Sequence, residues 1–340
     1  MGTMTASIAR DTPIPPPQPN TADGAARRVG AEIEFAALDC ASAADAVAAR
    51  FGGAVTQVDP YRYLVETPTY GRFIVELDTQ FVHPDEEADA DARADKETER
   101  LRRALEDGLR TAIGEVTRMY LPVEVIAPPL TVGELPELDA LLADLRARGA
   151  RGTRDSVVYA FGLQLNIEMP ALDANTVLAY LRAYLVCADW LRRDIGIDLT
   201  RRVLPFIQPF PRSYLRRVLE SAYQPDLDTL IADYLADNAT RNRDLDLLPL
   251  LAWLAPERVR TAVADPRLKA RPAVHYRLPD SRIDDPDWRI VHEWNRWAAT
   301  VEQLVAQPER LRGAAEAYRT HLAATWLSDW AEGAARWLDL

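Results

Sequence analysis

Two glutamates separated by a single residue, Glu32 and Glu34, lie in the run Arg28 to Phe35, Arg-Val-Gly-Ala-Glu-Ile-Glu-Phe. In an extended strand alternate residues share a face, so Val29, Ala31, Ile33 and Phe35 point one way and Gly30, Glu32 and Glu34 the other. Carboxylates this close repel and raise each other's pKa unless a cation neutralises them, an arrangement suited to a divalent metal. The alternation returns further on. Phe73, Val75 and Leu77 alternate with Ile74, Glu76 and Asp78, and Glu124 opposes Val123 and Val125. Between Val157 and Met169, Phe161, Leu163, Leu165, Ile167 and Met169 oppose Gly162, Gln164, Asn166 and Glu168. On one sheet, Glu32, Glu34, Glu76, Asp78, Glu124, Gln164, Asn166 and Glu168 would converge. Hard oxygen donors of this kind suit Mg²⁺ or Mn²⁺, with water and substrate phosphates completing the coordination. The basic counterpart is Arg277, flanked by Arg271 and Arg282. Guanidinium groups hold phosphate or carboxylate oxygens bidentately and stabilise charge on a transferred phosphoryl group, or they form salt bridges to the sheet acids themselves. The histidines His83, His275, His292 and His321 show no ligand spacing, and only His275 falls in a candidate site strand.

Positioning these groups requires a sheet. Strand patterns are read at Arg28 to Phe35, Tyr61 to Thr67, Arg72 to Leu77, Leu121 to Ile126, Val157 to Met169 and Ala273 to Leu278, with a hairpin turn at Pro68 to Gly71. Each puts polar groups on one face and apolar groups on the other, the pattern of an antiparallel sheet with helices behind it and a working surface in front. Helices are predicted from a Ser42 cap to Arg50, from Glu86 to Glu115, from Leu135 to Arg148, and from an Asp173 cap through Ala188. The chain then turns mostly helical, with helices near Ser213 to Tyr223, Asp226 to Ala236, Leu245 to Leu254, Trp288 to Leu304 and Glu309 to Leu338. Trp294, Trp297, Trp326, Trp330 and Trp337 at helical spacing predict packing rather than chemistry. The fold class is therefore α+β: an antiparallel sheet of five or six strands backed by helices, with a helical C-terminal part. The division is a Pro-rich, disordered head at 1–26, a catalytic domain at 27–285, and C-terminal helices at 286–340 packed on the same domain.

A chain of 340 residues with 48% hydrophobic content is long enough for one large or two medium domains. Its formal net charge of −12 argues against a nucleic-acid partner, whose phosphates require clustered Lys and Arg. An anionic substrate is still compatible, because a bound metal reverses the local sign. Cys40 and Cys187 form neither a disulfide framework nor a zinc cluster, which fits a reducing cytoplasm. No apolar run approaches a membrane span and no hydrophobic signal segment is present. A Gly-rich phosphate loop with Lys-Ser/Thr, a dinucleotide fingerprint and a Gly-x-Ser-x-Gly elbow are all missing.

The ordered motifs resemble the amidoligase family, the carboxylate-amine ligases related to glutamate-cysteine ligase and, more distantly, to glutamine synthetase. Gly30-Ala-Glu-Ile-Glu-Phe35 resembles the family's first strand with paired glutamates, and Val75-Glu-Leu-Asp-Thr-Gln80 its strand with an acid before a small polar residue. Val123-Glu-Val-Ile-Ala-Pro-Pro-Leu130 is similar to Glu-(apolar)-(apolar)-Ser-Pro-Pro-Leu. Gly162-Leu-Gln-Leu-Asn-Ile167 stands where Gly-x-His-x-His is usual, Arg243-Asp-Leu-Asp-Leu-Leu248 resembles Arg-x-x-Leu-Asn-Leu, and Val274-His-Tyr-Arg277 resembles Thr-Ile-Glu-Phe-Arg. The likeness spans Arg28 to Arg282. It implies a glutamine synthetase-like curved antiparallel sheet whose concave face holds ATP and divalent metals. It also implies a reaction in which a small-molecule or peptide carboxylate is phosphorylated and an amine displaces the phosphate. Glu32, Glu34, Glu76, Asp78, Glu124 and Glu168 would be metal ligands, Gln164, Asn166, Arg271 and Arg277 would bind the cofactor, and Arg277 and Arg282 would act in catalysis. Gln164 and Asn166 replace the usual His pair, and His275 replaces a Glu beside the arginine. A non-catalytic binding protein with the same acidic cleft and a metal-dependent hydrolase are the competing readings. The helical tail offers surface for a second copy of the chain.

Overall fold

The structure, a computed structural model, describes residues 8–77, 122–152, 161–197, 207–324 and 330–338. Among the described residues nine antiparallel strands form one sheet, eight of them in the spatial order β2 (Ala54–Asp59), β3 (Arg62–Thr67), β4 (Gly71–Leu77), β5 (Val123–Ile126), β1 (Arg28–Phe35), β7 (Leu163–Glu168), β9 (Ala273–Tyr276) and β8 (Leu245–Asp246). The two-residue β6 (Leu130–Thr131) pairs with the start of β1. Every strand predicted from alternation is present in its described part, and three more enlarge the sheet beyond the five or six expected. The three additions carry no period-2 signal: β6 and β8 are two residues long, and β2 is an edge strand exposed over most of both faces. Asp78, the helix predicted at Glu86 to Glu115, Leu121 and the first part of the strand predicted from Val157 lie outside the described residues.

One sheet face is apolar and closed. Ala31, Ile33, Phe35, Val65, Phe73, Val75, Val125, Leu163, Leu165 and Tyr276 have no solvent exposure. Helices cover this side. Helix α1 (Cys40–Phe51) packs on β3 and β4, α2 (Leu135–Ala147) packs on α1, and α3 (Ala174–Ile195) receives the C-terminal helices. Helix α1 is capped by Asp39, which accepts a hydrogen bond of 2.7 Å from the Ser42 N–H, and not by Ser42 as the sequence predicted. Two short helices follow, α4 (Arg212–Val218) and α5 (Leu227–Asn238). The helix expected from Leu245 starts instead at Leu248, as α6 (Leu248–Leu254), because Pro249 favours the first turn and Leu245 and Asp246 pair with β9. Beyond α7 (Pro256–Ala262), helix α8 (Ile290–Trp297) runs into a π-turn at Ala298–Glu302.

The Pro-rich head departs from its predicted disorder over residues 8–26. Ile8 is buried, the Asn295 amide donates to the carbonyls of Ile8, Arg10 and Thr12, and its oxygen accepts from the Ile14 N–H at 2.7 Å. A segment without a core of its own is thus ordered by the polar groups of α8. The π-turn supplies a second clamp. Glu302 takes a bidentate ion pair from Arg27, at 3.0 and 2.9 Å, and also accepts from Tyr180 Oη at 2.7 Å and Trp297 Nε1 at 3.1 Å. Both charged partners are almost completely buried, and their hydrogen bonds satisfy the ionised groups, which is the condition for such a pair to be tolerated. Trp294 and Trp297 are fully buried packing residues, as their spacing predicted.

Asp139 of α2 accepts a 2.6 Å hydrogen bond from the Ile290 N–H at the start of α8, and burial pushes its carboxyl up to about 7. A folded-state pKa above the unfolded one means that the native state holds the extra proton between about pH 4 and 7, so this contribution to stability is lost as pH rises through that window. Asp139→Asn keeps the acceptor and cannot ionise. Denaturation between pH 4 and 7 should therefore show wild type losing roughly 2–4 kcal/mol relative to the variant, whereas a pH-independent difference would contradict the assignment.

Candidate active site

The other face of the sheet carries the acids. Strand register sets Glu34 opposite Glu124 and Glu124 opposite Glu76, so three carboxylates from β1, β5 and β4 lie side by side in one row. At about 4.8 Å between strands, the row spans about 10 Å. Glu32 lies two residues along β1, opposite Gln164, while Gly30 lies opposite Asn166. A Cβ on Gly30 would come within 3.4 Å of the Asn166 Cβ, so the glycine leaves room for the Asn166 side chain to reach along the face.

Each acid has a partner. Glu76 takes the Arg62 Nε donor at 2.5 Å, and Glu34 accepts from the Gly162 N–H at 2.8 Å and from Gln164 Nε2 at 2.6 Å. Glu32 accepts from Asn166 Nδ2 at 2.8 Å and from Arg271 at 3.4 Å. The two amides therefore turn their N–H groups to the β1 carboxylates and their oxygens to His275: Gln164 Oε1 lies 2.7 Å from Nε2, and Asn166 Oδ1 lies 2.6 Å from Nδ1. Gln164 and Asn166 are the residues that the family resemblance implies for cofactor binding. In the structure they bridge the acids and a buried imidazole. Burial, with Arg277, Arg271 and Arg241 nearby, holds His275 well below the usual histidine range, so the ring is neutral. Arg271 donates to Nδ1 at 2.9 Å, which leaves the single ring proton on Nε2, directed at Gln164 Oε1; Asn166 Oδ1 then lies against Nδ1 without a hydrogen bond between them.

The remaining predicted residues divide. Arg271 joins the site through Glu32 and His275. Arg277 stands at the end of β9, on the polar face beside Asp246, whose carboxyl burial pushes up to about 6 against the pull of Arg277. Arg282 does not join. Its guanidinium binds the carbonyls of Ile195 and Gly196, capping the C-terminus of α3 where Gly196 adopts φ +64°. Glu168 is likewise apart, its carboxylate taken by the Arg28 N–H at 2.9 Å, four residues along β7 from Gln164 and thus about 13 Å away along the strand. Asp78 lies outside the described residues. Three residues with no periodic signal belong to the site region: Asp246, buried opposite His275 on the two-residue β8, and the loop arginines Arg241 and Arg267, which line a cavity with Arg277. The Arg243 to Leu248 motif is the one sequence cue that points near them.

The donor set, carboxylate oxygens on adjacent strands, fits a hard divalent cation in its chemistry. Among the described residues, however, no three His, Cys, Asp or Glu side chains are gathered around one ion position. The cause is visible in the pairings: Glu76 leans to Arg62, Glu34 to Gln164 and Gly162, and Glu32 to Asn166 and Arg271.

Against known proteins, a family model described as "Putative amidoligase enzyme" matches residues 25–299. No curated protein and no solved structure matches the chain.

The bridging role of Gln164 predicts a stability effect. Gln164→Leu is close in volume but leaves a Glu34 oxygen and the His275 Nε2 proton without their partner, and each buried loss costs about 1–3 kcal/mol. Urea denaturation of Gln164→Leu should show a lower midpoint than wild type, and an unchanged midpoint would contradict the hydrogen-bonded chain described above.

Proposed function

Because this chain belongs to the amidoligase enzyme family, we propose that it is an ATP-dependent ligase that joins a carboxylate to an amine through an acyl phosphate. The observation that carries the reading is the row Glu34, Glu124 and Glu76 on one sheet face, with Arg271 on the neighbouring Glu32. The nine-stranded antiparallel sheet with one apolar and one acidic face supports a glutamine synthetase-like arrangement of the catalytic domain.

Glu34, Glu124 and Glu76, with Glu32 beside them, would hold Mg²⁺ or Mn²⁺, which would supply charge neutralisation for the ATP phosphates. The chain's own residues do the rest. Gln164 and Asn166 fix the Glu34 and Glu32 carboxylates by hydrogen bonds, and Gln164 is anchored in turn on His275. Arg277 binds an oxygen of the transferred phosphoryl group, where a guanidinium offsets the charge that develops. In the first step a substrate carboxylate oxygen attacks the γ-phosphorus and ADP leaves. In the second the amine nitrogen attacks the acyl carbon, phosphate leaves, and the nitrogen loses a proton to give the amide. Substrates would be small molecules or peptides bearing a carboxylate and an amine, with no nucleic acid involved.

Two buried thiols, Cys40 and Cys187, support a reducing compartment, the cytoplasm. Burial pushes Cys40 up to about 12 and raises Cys187 as well, so neither is a reactive thiolate. Among the described residues no helix is long and apolar enough to cross a membrane. A binding protein that keeps the acidic face without turnover is the second reading, favoured by the hydrogen bonds that already engage Glu32, Glu34 and Glu76.

ADP formation by the purified protein should require Mg²⁺, a carboxylate substrate and an added amine. Glu34→Gln should lower it by about 10–100-fold or more, as loss of a metal-site carboxylate does, while Glu168→Gln should leave it near wild type. Turnover that survives Glu34→Gln, or that proceeds without the amine, would overturn the ligase reading.

A further inference from the structure

Away from the sheet, a cavity of about 310 Å³ lies between α3, the loop that follows α4, and α9 (Pro308–Ala324). Its walls are largely aliphatic: Leu178 and Ala179 from α3, Leu219 at the end of α4, Val305, and Leu311 and Ala315 from α9. Among the described lining residues the charged side chains are Arg182 and Arg312, and there is no acid.

The two arginines differ. Arg312 pairs with Glu309, three residues back on α9, and both side chains are largely in water, where solvent screens the pair. Arg182 is half-buried and has no carboxylate partner among the described residues. Its Nε donates to the Val218 carbonyl at 2.7 Å, and Nη2 donates to the carbonyls of Glu220 and Tyr223 at 2.8 and 2.6 Å. One edge of the guanidinium therefore caps the end of α4. These acceptors are neutral dipoles, so they fix the group in place and leave its charge unmatched. Nη1, on the other edge, makes no hydrogen bond to the described residues.

Elsewhere in the fold, enclosed arginines have acids: Arg27 has Glu302, Arg192 has Asp244, and Arg296 has Glu293 and Asp194. Burial pulls down the pKa of all four arginines. The carboxylates outweigh it and raise Arg27, Arg192 and Arg296, while Arg182 stays below the ordinary arginine value. A desolvated cation short of negative charge is costly until an anion reaches it.

We infer that this cavity binds a small amphipathic carboxylate, its anionic head on Arg182 and its aliphatic or aromatic body against Leu178, Leu219, Val305 and Leu311. One carboxylate matches the one unmatched guanidinium, and Asn175, Ser221 and Gln224 add neutral hydrogen-bonding groups to the lining. A cation finds no acid here. A nucleotide brings several negative charges to one unmatched cation and finds no aromatic ring among the described lining residues to stack its base. Small-molecule sites run from about 300 to 1,000 Å³, so the occupant belongs at the small end. The site stands apart from the ligase reading: none of its described lining residues lies on the sheet, and occupancy requires neither metal nor nucleotide.

Isothermal titration calorimetry of the full chain, without metal or nucleotide, tests this with octanoate, 3-phenylpropionate, 1-octanol and acetate in turn. Saturable one-to-one binding of octanoate, 3-phenylpropionate or both is expected, with 1-octanol and acetate at least about tenfold weaker, because each lacks half of what the lining recognises. Octanoate alone would define a flexible aliphatic occupant and 3-phenylpropionate alone an aromatic one, and either result supports the site. Arg182→Gln should weaken binding by about tenfold or more. Ala179→Glu should do the same, because it sets an acid three residues from Arg182 on the same helix and takes up cavity space. Ala179 is half-buried and makes none of the bonds that cap α4, so this variant keeps the test folded if Arg182→Gln loosens the loop. Arg72→Gln, on β4, should bind as wild type does. No saturable binding of either carboxylate, 1-octanol bound as tightly as octanoate, or binding unchanged in Ala179→Glu would overturn the proposal.

Discussion

Like charges placed side by side on one face of a sheet are the constraint on which the rest of this structure turns. Glu34, Glu124 and Glu76 occupy neighbouring strands in register, a placement that repulsion disfavours and that hydrophobic burial on the opposite face nevertheless enforces. A register slip of one residue would bury the acids and expose Ile33, Val75 and Val125, so the apolar face locks the acidic one. The protein moderates the repulsion with Arg62 at one end of the row, with the Gly162 N–H and Gln164 at the other, and with Asn166 and Arg271 on Glu32. Only some of these partners are cations. Cations and neutral donors thus share the task of making the row foldable.

Support for this face comes from distant parts of the chain. His275 holds Gln164 and is itself held neutral by burial among arginines. Behind the sheet, the buried Arg27–Glu302 pair joins the residue just before β1 to the π-turn after α8, and the head up to residue 26 lies against the same helix. Breaking such a pair from one side costs about 3–5 kcal/mol, because the other charge remains buried, so the pair acts less as a source of stability than as a specification of how the two ends meet.

Much of this was legible from residue alternation. Apolar residues at every second position in Arg28 to Phe35, Arg72 to Leu77 and the strand ending at Met169 identified which side of each strand faces the core, and Glu32, Glu34, Glu76 and Glu124 then fell on the common polar face. What alternation cannot supply is neighbourhood across the sheet. Arg62 is an ordinary charged residue in sequence and becomes the Glu76 partner only through pairing of β3 with β4. Arg282 looked like a companion of Arg277 five residues away, yet the chain turns between them and sends Arg282 to the end of α3. Asp246, Arg241 and Arg267 sit on loops or on a two-residue strand, where no period exists to read. The head misled for a different reason: its composition forbids a core of its own, but Asn295 and Trp294 supply the partners from outside it.

The most direct measurement is a crystal structure of the protein grown with Mn²⁺ and a non-hydrolysable ATP analogue, using the anomalous signal of manganese. The account predicts a manganese peak against the Glu34, Glu124 and Glu76 carboxylates with nucleotide phosphates on its open side. Carboxylates still bound to Arg62, Gln164 and Asn166, with manganese elsewhere or absent, would contradict it.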